Sequence, residues 1–383
     1  MTIRNLRAVA AALLLGAATV GGAAVLLSTP VLALTVSAKA GAAIKEAQAM
    51  AAAGNYSGAN AKLREAEAAA EKGTDDNAVI AQLKQYIAVK SGDISTPAGA
   101  KAKFANDYAA GKYKDVIADG DALKKNGALD ATNMQIIAQA YYKMANNAGC
   151  EKYIKDNFSS PGDTTLQLLM RCAYDAGDDA TQRSALETLV AHTGKPEYWS
   201  SLLKLSERAQ GMRDHDTLDI YRLKLLTGTI SGAVEYTLLA QLAVQLGFPA
   251  EADEVLEKGQ AAKILTDDRT TRLLNLAKTQ AGADLANQAK AIAAATAAPQ
   301  GDGLVKIGED QIGQGKAKDA IATIQAGMKK PLMDKNNAQI RLGMAYLNAG
   351  QKADAVKAFD SVKGPAGDKS AMIAHLWSLY ARR

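Results

Sequence analysis

Gly315-Lys316-Ala317-Lys318-Asp319-Ala320 returns farther along the chain as Gly350-Gln351-Lys352-Ala353-Asp354-Ala355. Each stretch is a glycine that can turn the backbone at positive φ, followed at once by helix-forming residues. A related stretch, Gly54-Asn55-Tyr56-Ser57-Gly58-Ala59, stands near the start. Between them Gly177, Gly211, Gly247, Gly282, Gly315 and Gly350 form a ladder with rungs roughly 34 residues apart. A period of that size marks two-helix units, each too small to bury its apolar face alone. The expected fold is therefore all-α: an α-solenoid of stacked antiparallel helix pairs.

Composition agrees. Apolar residues make up 48% of the 383-residue chain and aromatics only 5%. Much of the apolar share is alanine, the best helix former, which also lets helices approach closely. Proline is scarce and β-branched runs are few, so a large sheet is not expected. The net charge is +5. Arg4 and Arg7, in the leader described next, carry two of these charges, leaving about +3 on the rest. Both signs are mixed along the chain, and no basic block with interleaved aromatics occurs. This argues against nucleic acid as a partner.

Arg4 and Arg7 precede an uncharged run from Ala8 to Leu27, Pro30 breaks that run, and Val31-Leu32-Ala33 follows. A positive start, an apolar middle and a small-residue exit read as a signal peptide over residues 1–33. A second potential cut follows Ala38-Lys39-Ala40. The apolar run is long for a cleaved leader, so an uncleaved membrane anchor is the alternative and the one expected route to a membrane. Either way the body is expected outside the cytoplasm. The alanine content points to a bacterial source, hence to a periplasmic or secreted protein. An exported chain with two cysteines, Cys150 and Cys172, permits one disulfide. Two small buried thiols filling alanine-sized sites are the alternative.

A first helix pair is read over residues 42–53 and 57–71, then a helix from Asp75 or Asp76 to Lys90. Units then begin near Pro97, Ala131, Asp163, Pro196, Ala233, Asp267, Gly301 and Asn336. Residues 297–303, with a Pro and two Gly, read as a hinge or as a looser turn within a continuous solenoid. The domains are accordingly 34–96 (a helical pair plus an extra helix), 97–298 (degenerate repeats) and 299–383 (regular repeats). In the last of these, Met372, Ile373, Leu376, Trp377 and Tyr380 make the apolar face of a capping helix.

The unit from Asn336 carries Leu342-Gly343, Tyr346, Ala355 and Phe359. Matching positions are Ile307-Gly308, Gln311, Ala320 and Ile324; Ile137-Ala138, Tyr141, Cys150 and Ile154; and Leu239-Ala240, Ala243, Ala252 and Leu256. This pattern resembles the tetratricopeptide repeat (TPR). That family's proline near the unit end is largely missing here; Pro331 and Pro365 come closest. The resemblance implies a TPR-like right-handed superhelix whose concave groove, lined by the first helix of each pair, takes a protein or peptide partner. Groove positions carried onto this chain are Gln135, Gln139, Tyr142, Arg171, Tyr174, Lys204 and Gln241.

No catalytic constellation stands out. His192, His215 and His375 lie far apart, and no nucleophile elbow, paired-cysteine metal motif or phosphate loop occurs. The one local cluster is Arg213-Asp214-His215-Asp216 with Asp219. It could hold a metal, but a carboxylate capping the helix that follows is the simpler reading. No metal and no cofactor are expected, and no catalytic residue is assigned. The expectation is a non-enzymatic exported scaffold that joins proteins in cell-envelope assembly or maintenance. A glycan- or peptidoglycan-recognising accessory protein and a helical-superhelix enzyme are the alternatives.

Overall fold

The structure, a computed structural model, describes residues 36–72, 74–365 and 367–383. The leader expected over residues 1–33 lies outside the described residues. Among those described there are nineteen helices and no strand, and no helix is long and apolar enough to cross a membrane. The chain divides into two compact units, Met1–Ser160 and Pro161–Arg383.

The first unit holds α1 (Ala38–Ala52), α2 (Tyr56–Ala69), α3 (Asp76–Ser91), α4 (Pro97–Ala109), α5 (Tyr113–Lys125), α6 (Ala131–Lys143) and α7 (Asn147–Asn157), each packed on the next. Ser37 starts α1: its hydroxyl accepts from the Ala40 N–H at 3.2 Å and donates to Asp76 Oδ2 at 2.7 Å. The Ser37 N–H donates to Asp76 Oδ1 at 2.8 Å, tying α1 to the start of α3. Burial pushes the Asp76 carboxyl up. The hydrogen bonds from Glu71, Ser37 and Thr74 outweigh that effect and bring it to about 2. Ala40, Ala47, Ala59 and Ala66 are fully buried between α1 and α2. Their methyl groups contribute little each, at about 0.8 kcal/mol per buried carbon, but they set a short helix spacing. Ile44, Leu63, Ile80 and Ile87 supply most of the apolar burial. Phe104, Val116, Leu123 and Ile137 do the same for α4 to α6.

The second unit begins with three hairpins: α8 (Asp163–Ala176) with α9 (Asp179–Thr193), α10 (Pro196–Glu207) with α11 (Asp214–Leu226), and α12 (Gly232–Leu246) with α13 (Pro249–Ala261). A single helix follows, α14 (Asp268–Ala297). Two more hairpins and a last helix complete it: α15 (Asp302–Gly313) with α16 (Ala317–Met328), α17 (Lys335–Asn348) with α18 (Lys352–Asp360), and α19 (Lys369–Ala381).

The units start at or within a residue of the positions read from the sequence, and all but the unit from Asp267 are helix pairs. The ladder glycines explain why. Gly177, Gly247, Gly315 and Gly350 all sit at positive φ, between 72 and 82 degrees, a conformation that favours glycine and ends the preceding helix. Gly282 is the exception. It lies inside α14, with no turn and nothing within 4 Å of where a Cβ would be. Alanine-rich sequence on both sides carries the helix through it, since one interior glycine costs only about 1 kcal/mol.

The crossing points are built as the repeat pattern implies. A Cβ on Gly343 would lie 2.5 Å from the Phe359 ring, and one on Gly308 would lie 2.4 Å from Ile324. Ala320 and Ala355 are fully buried beside them.

The stack in the second unit reverses. α15 packs on α13, and α19 packs on α11 and α9. The second helices α13, α11 and α9 thus meet α15, α17 and the last helix α19, in opposite chain order. α19 is therefore more than an end cap: Ile373, Ala374, Leu376 and Trp377 are buried, the Trp199 and Tyr380 rings meet at 6.1 Å, and His375 Nε2 lies 3.1 Å from Glu187. The segment read as a hinge is tightly held. Gly301 donates to the Pro331 carbonyl at 2.9 Å. Lys330 Nζ donates to the carbonyls of Ala298 (2.6 Å), Ala295 (3.3 Å) and Thr296, closing the C-terminus of α14.

Candidate functional site

Two surfaces carry the residues expected to meet a partner, one in each unit. In the first unit, Gln135, Gln139 and Tyr142 stand on α6 at spacings of four and three, so they share one helix face. All three are half-buried. Gln139 accepts a hydrogen bond from the Tyr108 hydroxyl at 3.0 Å, which fixes its amide and leaves less of it for a ligand. In the second unit, Arg171 and Tyr174 share a face of α8. Tyr174 is 60% exposed, Lys204 on α10 is exposed, and Gln241 on α12 is half-buried. The returning hairpins cover α9, α11 and α13, so the side formed by α8, α10 and α12 keeps its polar residues at the surface.

Cys150 on α7 and Cys172 on α8 are each fully buried. Cys150 stands at the small-residue position of its repeat, as the pattern implied.

The Arg213 to Asp219 cluster resolves into two jobs. Asp216 in the first turn of α11 accepts from the Arg213 N–H at 3.0 Å and from its Nε at 2.9 Å, a cap at the helix start. Burial pushes the Asp216 carboxyl up, but the Arg213 hydrogen bonds and charge more than offset this and hold it low. His215 and Asp219 turn inward to the layer between the two stacks.

That layer holds a buried ion network which local sequence patterns do not reveal. Arg222 on α11 donates to both carboxylate oxygens of Glu251 on α13, at 2.7 and 2.6 Å. Its Nη1 donates to Asp219 at 2.9 Å and to Glu309 on α15 at 2.7 Å. Arg341 on α17 donates to both oxygens of Asp219, one at 2.5 Å, and approaches Glu309 at 3.1 Å. His215 Nε2 sits 3.3 Å from Glu309 Oε2. Arg341 is 1% exposed and Asp219 is 1% exposed. Burial works against the charged forms of Arg222, Glu309 and Arg341. The facing guanidinium groups nevertheless hold Glu309 well below the carboxylate range, and the carboxylates hold Arg222 and Arg341 above the arginine value. The network is chemically saturated: each charge meets its opposite, so it positions helices and has no open valence for substrate.

A further buried cation, Lys224, lies between Glu207 and Glu235 at 2.6 Å each. Its ammonium stands over the Tyr221 ring at 4.6 Å. The histidines are likewise engaged with carboxylates of neighbouring helices, His192 with Asp163 at 2.9 Å and His375 with Glu187.

No protein-family model and no curated protein matches the sequence. Among solved structures, the P58(IPK) TPR domain is similar at 10% identity, covering 90% of this chain and 79% of that one, with a TM-score of 0.26. A tetratricopeptide repeat protein from Parabacteroides merdae is similar at 12% identity over 81% of this chain and 99% of that one, TM-score 0.25. Naa15/Naa10 bound to HypK is similar at 14% identity over 84% and 58%, TM-score 0.31. The helix hairpins and their crossing glycines define the fold.

Proposed function

We propose that the protein is an exported, non-enzymatic TPR-like scaffold that holds a protein or peptide partner on its first-helix faces, in bacterial cell-envelope assembly or maintenance. One observation carries this reading. The second unit covers its second helices with its own returning hairpins and leaves Arg171, Tyr174 and Lys204 at the surface of α8 and α10. A tyrosine and two cations suit an extended segment with backbone carbonyls and acidic side chains. In the first unit, taken by itself, Gln135 and Tyr142 on α6 offer polar contacts of the same kind.

The test is photo-crosslinking in the native envelope from position 174 or 204, against a control at Met333, which is 80% exposed on the loop before α17. Discrete adducts from 174 and 204 but not 333 support the reading. Equal labelling at all three, or none, counts against it. Replacing Tyr142 and Arg171 by Ala is expected to weaken partner capture while the helical circular dichroism is retained.

Export is supported by the order of residues in the leader. A cut after Ala33 also keeps Ser37, whose backbone and hydroxyl both bind Asp76, whereas a cut after Ala40 would remove that cap. N-terminal sequencing of the mature protein is expected to begin at Leu34. We further propose that Cys150 and Cys172 pair. Peptide mapping without reductant is expected to find the linked peptides, and two alkylatable thiols in native protein would overturn this.

A further inference from the structure

A cavity of about 370 Å³ lies between α14 and α15, beside the turn at Gly247. Asp284, Asn287 and Gln288 line it from α14, and Lys306 and Asp310 from α15. Its wall is organised by a directed hydrogen-bond chain. Lys316 Nζ donates to Gln288 Oε1 at 3.1 Å, Gln288 Nε2 donates to Gln314 Oε1 at 2.9 Å, and Gln314 Nε2 donates to Asp310 Oδ2 at 2.7 Å. A cation at one end and a carboxylate at the other fix the sense of both amides, and such chains polarise along their length. The other oxygen, Asp310 Oδ1, is buried with no hydrogen-bond partner. Asp284 and Lys306 have no ion-pair or hydrogen-bond partner among the described residues. The cavity therefore presents an unused ammonium, an unused carboxylate and a carboxylate oxygen lacking a donor.

From this set we infer that the cavity binds a small diamino acid. The ligand's carboxylate would meet Lys306, and its two ammonium groups would meet Asp284 and Asp310. Among the groups that line the cavity, two carboxylates and one ammonium leave one negative charge, which matches a ligand of net charge +1. The volume falls in the usual range for small-molecule sites, roughly 300–1,000 Å³. The chemistry is independent of the partner surface on α8 and α10, so failure of either reading leaves the other standing.

Binding should depend on pH. Burial and then the Asp284 charge raise the Asp310 carboxyl to about 6. The charged groups acting on it are Asp284 from α14, Glu251 from α13, and Lys316 from the turn before α16. Glu251 is itself paired with Arg222.

The experiment is calorimetric titration of the full chain with L-lysine, with L-norleucine (no second ammonium) and with cadaverine (no carboxylate). L-Lysine is expected to bind at least about tenfold more tightly than either analogue, one factor of ten being about 1.4 kcal/mol. The affinity should rise from pH 5 to pH 7.5 as Asp310 ionises. Asp284→Asn, at an exposed position that does not threaten folding, should weaken L-lysine about tenfold. Lys306→Ala should abolish the preference for L-lysine over cadaverine. No L-lysine binding at about 10 mM, or binding that Asp284→Asn leaves unchanged, would overturn the inference.

Discussion

Arg341 is the residue on which the second unit turns. Its guanidinium is buried against Asp219 and Glu309, so removing it leaves the Arg222 guanidinium shared among three carboxylates, Asp219, Glu251 and Glu309. Arg341→Met is expected to cost about 3–5 kcal/mol in chemical denaturation, since breaking a buried pair leaves its partner uncompensated. The pH dependence has two opposing parts. Glu309 is held below its unfolded value, so its contribution is present above the unfolded carboxylate range and is lost as pH falls through the folded value. Asp310 is raised to about 6. Its contribution is full below the unfolded value and is lost as pH rises toward 6 and past it. Asp310→Asn should therefore raise the melting temperature at pH 7.5 and leave it nearly unchanged at pH 4. Equal effects at both pH values would contradict the assignment. Little of this was legible in the sequence. The Asp216 cap was, because a carboxylate at a helix start is a local signal. The partnership of Asp219 with Arg341 was not, because no spacing rule links residues 122 positions apart.

At the scale of helices, most boundaries could be read because their causes are local. A glycine at positive φ ends one helix, and a small residue opposite a large one marks each crossing. Gly343 against Phe359 is the sharpest case. Gly343→Ala should overpack that crossing and cost about 1–3 kcal/mol, seen as faster amide exchange in α17 and α18. Wild-type exchange there would refute the crossing. α14 was misread as a hairpin because Gly282 looks like another rung. Its neighbours are alanine, and nothing near it demands a turn. The C-terminus of α14 is held instead by Lys330, a contact that sequence spacing does not announce. Lys330→Met should speed amide exchange over residues 291–298 and leave α8 to α13 unaffected.

The second unit as a whole is a stack that reverses. α14, about 45 Å long at 1.5 Å per residue, carries the chain to the point where the returning hairpins begin. Those hairpins cover α9, α11 and α13 and leave the first helices uncovered. The sequence made the units and their order legible. It hid the reversal, because that depends on charges and rings brought together from distant parts of the chain: Arg222 and Arg341 with Glu309, Trp199 with Tyr380, and Arg383, whose Nη1 donates to the Val190 carbonyl at 2.6 Å. The candidate partner face was legible only as positions on first helices; which side stays open follows from the reversal. A double-mutant cycle on Asp219→Asn and Arg341→Met, read by chemical denaturation, tests the reversal most directly. The two helices meet only if the returning stack lies on the first, and the cycle should then give a coupling energy of about 2 kcal/mol or more. Additive effects, with coupling near zero, would show that α17 does not pack on α11 and would remove the structural basis for the open face.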